Sequence, residues 1–296
     1  MKKLLFSFLI FVSFLNISFP QTESNEKLIL IRCDDIGMSH SVNLAAKELI
    51  DAGLIFSTSV MVPCPWFEEA VNIIKDNPQI TVGIHLTLNS EWKNYRWGPV
   101  AGRSAVPSLV DSLGYFFPSR DAFFANNPKP EEVEIELREQ IEKAIMSGLI
   151  ISYLDYHMGT AVDKPELRKI VEKLAAEFNL GISRYFGEVD LNNMYSFPVE
   201  EKKNHLVNLL DSLEADKINL LVCHIGKDSD ELGAMIDMNS FGLKEMSKHR
   251  NAELNALLSV VKENAFRKRG ISLITYKDLI KRIGLGSMKS PFESGY

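Results

Sequence analysis

Cysteine is scarce: Cys33, Cys64 and Cys223 are the only three among 296 residues. Three thiols cannot all pair, and a chain this long does not need a disulfide framework. Their separation gives no zinc-knuckle spacing, so all three read as small buried residues. A long basic run is also missing, and 33 Lys and Arg against 39 Asp and Glu leave a net charge of −6. Nucleic acid is therefore not an expected partner, because phosphate binding needs clustered cations. Neither G-x-G-x-x-G nor G-x-x-x-x-G-K follows the first strand-like run, which argues against a nucleotide fold. H-E-x-x-H is absent, and the chain shows no internal repeat or low-complexity linker, so one domain is expected.

What is present begins with an apolar leader. Lys2 and Lys3 precede a run from Leu4 to Leu15 that is short for a bilayer span, and polar residues follow from Gln21 to Lys27. The expectation is a secretory signal peptide over residues 1–22. The mature protein would be secreted or periplasmic, without a stable membrane span. An uncleaved anchor is the other reading of the same segment. No Cys adjoins the apolar run, so a lipoprotein anchor is not supported.

Downstream, short apolar runs alternate with amphipathic ones. Strands are expected at Lys27–Cys33, Phe56–Val62, Thr81–Leu88, Ile151–Tyr156, Gly181–Phe186, Asn219–Cys223 and Ile271–Thr275. Most are continuous Ile, Leu and Val runs, which suits strands buried on both faces of a parallel sheet. Helices are expected after Ser39 or Ser41 and from Pro130 to Gly148. Others should start behind Asp163, with Pro165 just inside, and span Val199–Ala215, Ala252–Lys268 and Tyr276–Ile283. Repeated β-then-α units predict an α/β fold, an irregular (β/α) barrel with mostly parallel strands over residues 27–285. An open doubly wound sheet is the competing architecture. Residues 89–128 interrupt the alternation as a loop insertion rich in aromatics, including Trp92 and Trp97. Such a loop either stacks its rings on sugars or packs them as a mini-core on the barrel.

The polar residues fall at strand ends. Asp34 and Asp35 follow the first strand, His85 lies near the end of the third, Asp155 and His157 end the fourth, and His224 ends the sixth. In a (β/α) barrel those ends form one face, where chemistry is located. Asp35, His85 and His157 make a carboxylate-plus-two-imidazole set suited to one divalent metal ion, magnesium or zinc. Asp34 is then free to act as a base, and His224 to protonate a leaving group. Each feature also has a plainer reading: a strand-end His that is only hydrogen-bonded, or an Asp pair that forms a cap and turn. Asp155 is a candidate for holding a histidine tautomer. Arg184 is placed to orient Asp34, bind substrate or form a structural ion pair. Asn43 is a candidate cap or pocket residue.

Together the segments CDDIGMSHSVN, STSVMV, VGIHLTL, LDYHMGT and CHIG resemble the YdjC-like carbohydrate deacetylases, from about Leu28 to Ile283. The resemblance implies an irregular (β/α) barrel that uses a divalent metal to remove N-acetyl groups from sugars. It also implies Asp35, His85 and His157 as ligands, Asp34 as base and His224 as general acid. Two departures stand out. Met158-Gly159-Thr160 follows His157 where many members carry a second histidine, and Ile225 follows His224 where a proline is common. The rival readings are another metal hydrolase on the same barrel, a metal-free glycosidase using Asp34 and Asp155, and a non-catalytic glycan-binding protein.

Overall fold

A computed structural model describes residues 26–292, so the expected signal peptide lies outside the described residues. Eight strands form one sheet in which every pairing is parallel: β1 Lys27–Ile36, β2 Ser57–Val60, β3 Thr81–Leu86, β4 Ile151–Tyr156, β5 Gly181–Ile182, β6 Glu188–Asp190, β7 Ile218–Cys223 and β8 Ile271–Ile274. Seven lie on one path, β5-β4-β3-β2-β1-β7-β6, and β8 pairs with the start of β1. No pairing joins β5 to β6, so the curled sheet stays open there.

The helices are α1 His40–Asp51, α2 Phe67–Lys75, α3 Arg120–Ala125, α4 Pro130–Met146, α5 Thr160–Asp163, α6 Pro165–Phe178, α7 Lys202–Asp211, α8 Asp230–Gly233, α9 Met246–Lys262, α10 Ala265–Lys268 and α11 Tyr276–Ile283. Their ends follow local chemistry. Ser39 caps α1 by accepting from the Val42 N–H, and Thr275 with Asp278 forms a capping box on α11. None of the described helices is long and apolar enough to cross a membrane.

Alternation along the strands sorts residues to two faces. The odd positions of β1, Ile29, Ile31 and Cys33, join the large core against the helices. Leu30 joins Tyr153, Leu220, Val222, Ile274 and Tyr276 in a second, interior cluster. Above Leu30 on the same face come Arg32 and Asp34, so the interior turns from apolar to ionic toward the C-terminal strand ends. All three cysteines are buried and unpaired, as the sequence indicates.

Several expectations need correction. The run Gly181–Phe186 is strand only over its first two residues, because Arg184 adopts a left-handed backbone (φ 70°) and the chain turns. Glu188 accepts the backbone N–H groups of Arg184 and Phe186 and fixes that turn. The helix expected from Ala252 to Lys268 starts at Met246 and breaks before Asn264, whose φ of 54° reverses the chain. Lys164, not Asp163, occupies the N-cap of α6, and α2 was not anticipated.

The insertion at 89–128 is held by the inner face of α4. Glu136 accepts the N–H groups of Val100 and Ala101, Glu132 that of Ser108, and Gln140 bonds both backbone groups of Thr87. The insertion's Trp92, Trp97, Phe116 and Phe123 are buried and join the large core.

Gly83 on β3 faces Tyr153 on β4, and a Cβ there would lie 2.3 Å from the tyrosine ring. Tyr153 is fully buried, and its hydroxyl donates to the Thr58 carbonyl. Gly83→Ala is therefore expected to destabilise the fold by about 1–3 kcal/mol through overpacking, read as a lower urea midpoint at unchanged m-value.

Candidate active site

The site begins with a backbone irregularity. Pairing between β1 and β2 shifts register between Cys33 and Ile36, and Asp35 has φ 65°. Left-handed backbone costs about 1–2 kcal/mol for most residues and is best tolerated by Gly, Asn and Asp. Ordinary alternation would send Asp34 and Asp35 to opposite faces, yet both line one cavity of about 450 Å³ at the C-terminal strand ends. Asp35 Oδ1 lies 3.4 Å from His85 Nε2 and 3.4 Å from His157 Nδ1. This buried carboxylate oxygen has no hydrogen-bond partner. The three ligand atoms all lie within 4.8 Å of one another.

Each of these side chains is held from behind. Asp35 Oδ2 accepts from Arg250 at 2.6 Å, which leaves Oδ1 as its free oxygen. His85 Nδ1 bonds Asp155 at 2.7 Å, and His157 Nε2 lies 3.1 Å from Glu91. Both rings therefore turn their remaining nitrogen toward Asp35. An orphaned anionic oxygen between two imidazole nitrogens fits a divalent cation. A second group, Asp34 with His85 and Asp155, fits one poorly. Arg32 already grips both Asp34 oxygens at 2.7 Å and approaches Asp155 at 2.8 Å, so its guanidinium supplies the positive charge there.

The other expected residues divide. Asp155 is fully buried and orients His85, as its strand-end position suggested. His224 lines the cavity, with its ring edge-on to Tyr195 and its buried Nδ1 without a partner. Its backbone N–H donates to Glu253. Arg184 lines the cavity but is paired with Asp190 through two 2.8 Å bonds, so orienting Asp34 falls to Arg32 instead. Asn43 does not reach the cavity. It is buried, accepting from Gly37 N–H and donating to the Trp66 carbonyl and Glu69. Trp97 is likewise no sugar platform, because it is buried with its indole N–H on the Asn89 carbonyl. Trp92 does line the cavity, although almost all of it is buried.

Arg32, Glu91, Tyr195 and Arg250 were missed. Arg32 did leave a signal: it is the one charge inside the apolar run LILIRC, two positions before Asp34 and so on the same face. Glu91, Tyr195 and Arg250 come from a loop, another loop and a helix, and nothing local marks them.

Comparison with known proteins agrees with this architecture. The family model described as YdjC-like protein matches residues 28–268. The chain belongs to the YdjC-like family. Two curated relatives of this YdjC-like chain are carbohydrate deacetylases. The Brevibacillus brevis protein is 28% identical, covering 85% of this chain and 99% of its own. The Thermoanaerobacter pseudethanolicus protein is 26% identical, covering 80% and 95%. A solved Enterococcus faecalis V583 structure, described as a candidate cellobiose-phosphate cleavage protein, shares the fold with a TM-score of 0.69. It is 24% identical over 86% of this chain and 99% of its own.

Burial by itself would depress both histidines. For His85 the charges of Asp155 and Asp34, the bond to Asp155 and the nearby Asp35 carboxylate overcome it, raising the imidazole to about 9. For His157 Glu91 and Asp35 do the same, raising it to about 10. Groups raised above an unfolded value near 6.5 stabilise the fold fully below that pH and lose the contribution as pH climbs through their folded values. Metal-stripped protein is therefore expected to melt at progressively lower temperature between pH 7 and 10, and a flat profile would contradict the ionic arrangement. Glu91→Gln, which removes the charge behind His157, should weaken zinc affinity about 10- to 100-fold by competition with a chelating dye.

Proposed function

We propose that this chain is an exported, metal-dependent hydrolase that removes acetyl groups, N-acetyl in the first instance, from a carbohydrate. One observation carries the reading: the unpartnered Asp35 oxygen between two imidazole nitrogens, sharing a cavity with Asp34 and His224. The deacetylase relatives supply the reaction class. Export rests on the apolar leader in the sequence, which lies outside the described residues.

Asp35, His85 and His157 would hold the divalent ion, zinc or magnesium, which when bound polarises the acetyl carbonyl and activates water. Asp34 is the general base. Arg32 grips both of its oxygens, fixing the carboxylate plane toward the cavity while leaving lone pairs to receive a proton from water. His224 stands on the neighbouring strand end, where β7 pairs with β1, and delivers a proton to the departing amine. Water attack at the carbonyl carbon breaks the C–N bond, yielding acetate and the free amine. Asp237, Tyr195 and Trp92 on the cavity wall offer hydrogen-bonding and apolar contacts for a sugar ring.

The two-carboxylate glycosidase reading loses its second carboxylate. Asp155 is fully buried behind His85 and Arg32 and does not reach the cavity. Asp34→Asn is expected to lower turnover of N-acetylated sugars by about 10²- to 10⁴-fold while metal content, read by elemental analysis, stays at wild-type level. Near-wild-type turnover in that variant would remove Asp34 from the mechanism.

A further inference from the structure

Lys202 is the only lysine among the described residues that is fully buried. It opens α7, where the positive end of the helix also disfavours a cation. Lysine is almost never found so deep unless its charge is paired and its donors are met. Here all three are met. The ammonium donates to the Met194 carbonyl at 2.6 Å, the Tyr195 carbonyl at 2.9 Å and Glu253 Oε1 at 3.1 Å. Glu253, on α9, is almost wholly buried, and its other oxygen accepts the backbone N–H of His224 at 2.8 Å. The pairing of β7 with β1 ends at Cys223, so this carboxylate takes up the chain where the sheet stops.

The ion pair ties together two segments beyond the β6–β7 pairing, which ends at Asp190 and Leu220. One is the loop after β6, which carries Tyr195, and the other is the end of β7, which carries His224. Both side chains line the catalytic cavity, and their rings meet edge-on with centroids 5.4 Å apart. One turn earlier on α9, Arg250 grips Asp35 at 2.6 Å. Positions three apart are neighbours on a helix surface, so one face of α9 locates both Asp35 and the strand end that bears His224. A buried ion pair is seldom the most stable filling for such a space, because apolar residues of equal volume avoid its desolvation. Apolar residues could not, however, hold two carbonyls and an N–H in one arrangement.

We propose that Lys202 and Glu253 are positioning residues, whose ion pair keeps the His224 and Tyr195 rings together at the cavity so that His224 can protonate the departing amine. Neither residue lines the cavity itself. The inference rests on the proposed deacetylation, in which His224 is the proton donor.

Lys202→Met alone would strand a buried carboxylate. The test therefore uses Lys202→Met/Glu253→Gln, which removes both charges and leaves an amide oxygen for the His224 N–H. Two substrates are compared on the metal-loaded full chain. The β-1,4-linked dimer of N-acetylglucosamine has an amine that must be protonated to leave, whereas the phenolate of 4-nitrophenyl acetate leaves without a proton. Turnover of the amide should fall about 10- to 100-fold, the loss that a small misplacement of a catalytic group causes, while the ester stays within about twofold. In metal-stripped chain labelled at histidine, the Cε1–H resonance of His224, assigned by its loss in His224→Gln, should shift as the Tyr195 ring moves away. An unmoved resonance, undiminished amide turnover, or equal losses on both substrates would overturn the positioning role. If wild type hydrolyses neither substrate, the hydrolase reading falls, and the resonance alone decides whether the ion pair holds the two rings.

Discussion

Arg32 stands at the centre of the barrel with almost no access to water, and the polar groups around it are set to match its charge. Two of its nitrogens grip Asp34, and a third approaches Asp155 at 2.8 Å and donates to Ser183, itself bonded to Tyr276. A guanidinium suits this place because its planar fork binds a carboxylate bidentately and stays charged when buried. Burial would raise Asp155, but Arg32 and His85 override it and hold that carboxyl far below the ordinary range. Removing one partner from such a buried network costs about 3–5 kcal/mol, because the other charge is left uncompensated. The network serves position more than stability: it fixes Asp34 at the cavity and, through Asp155, the ring of His85.

Around that centre the site repeats one device. Every residue that faces the Asp35 oxygen is held by a partner on a different element: Asp35 by Arg250 from α9, His85 by Asp155 from β4, His157 by Glu91 from the insertion. Four carboxylates against two guanidiniums leave the cluster short of positive charge, and that deficit draws protons onto the histidines or favours a divalent cation. The insertion is part of the same design. Its backbone donors are met by Glu132 and Glu136 of α4, Gln140 donates to Glu136, and burial raises the Glu136 carboxyl to about 7 despite those bonds. A helix that reads as charged in sequence therefore spends part of its charge inside, anchoring a loop.

Much of the site was legible because a parallel barrel turns sequence position into spatial position. Asp34, Asp35, His85, His157 and His224 each follow an apolar run, and strand ends of a parallel sheet share one face, so their meeting needed only the correct fold class. Arg184 and Asn43 each carried more than one reading because proximity in sequence does not choose a partner. Arg184 found Asp190 six residues away, and Asn43 served the turn at Gly37 and the start of α2. The aromatic insertion gave two equal readings, and the core took Trp97, since rings on a loop pack wherever apolar surface is nearest.

Local periodicity and the order of motifs determined the α/β class, the parallel strands and the identity of the facing carboxylate and imidazoles. These properties depend on residues near one another in the chain or on a rule that holds for every parallel barrel. Tertiary structure alone decided which cation neutralises Asp34, which groups stand behind each imidazole, and that the sheet stays open between β5 and β6. Arg250 and Glu91 reach their partners across 215 and 66 residues of sequence. Such pairings are chosen by burial, where a charge accepts whatever counter-charge the packing brings within reach, and no local pattern records that choice.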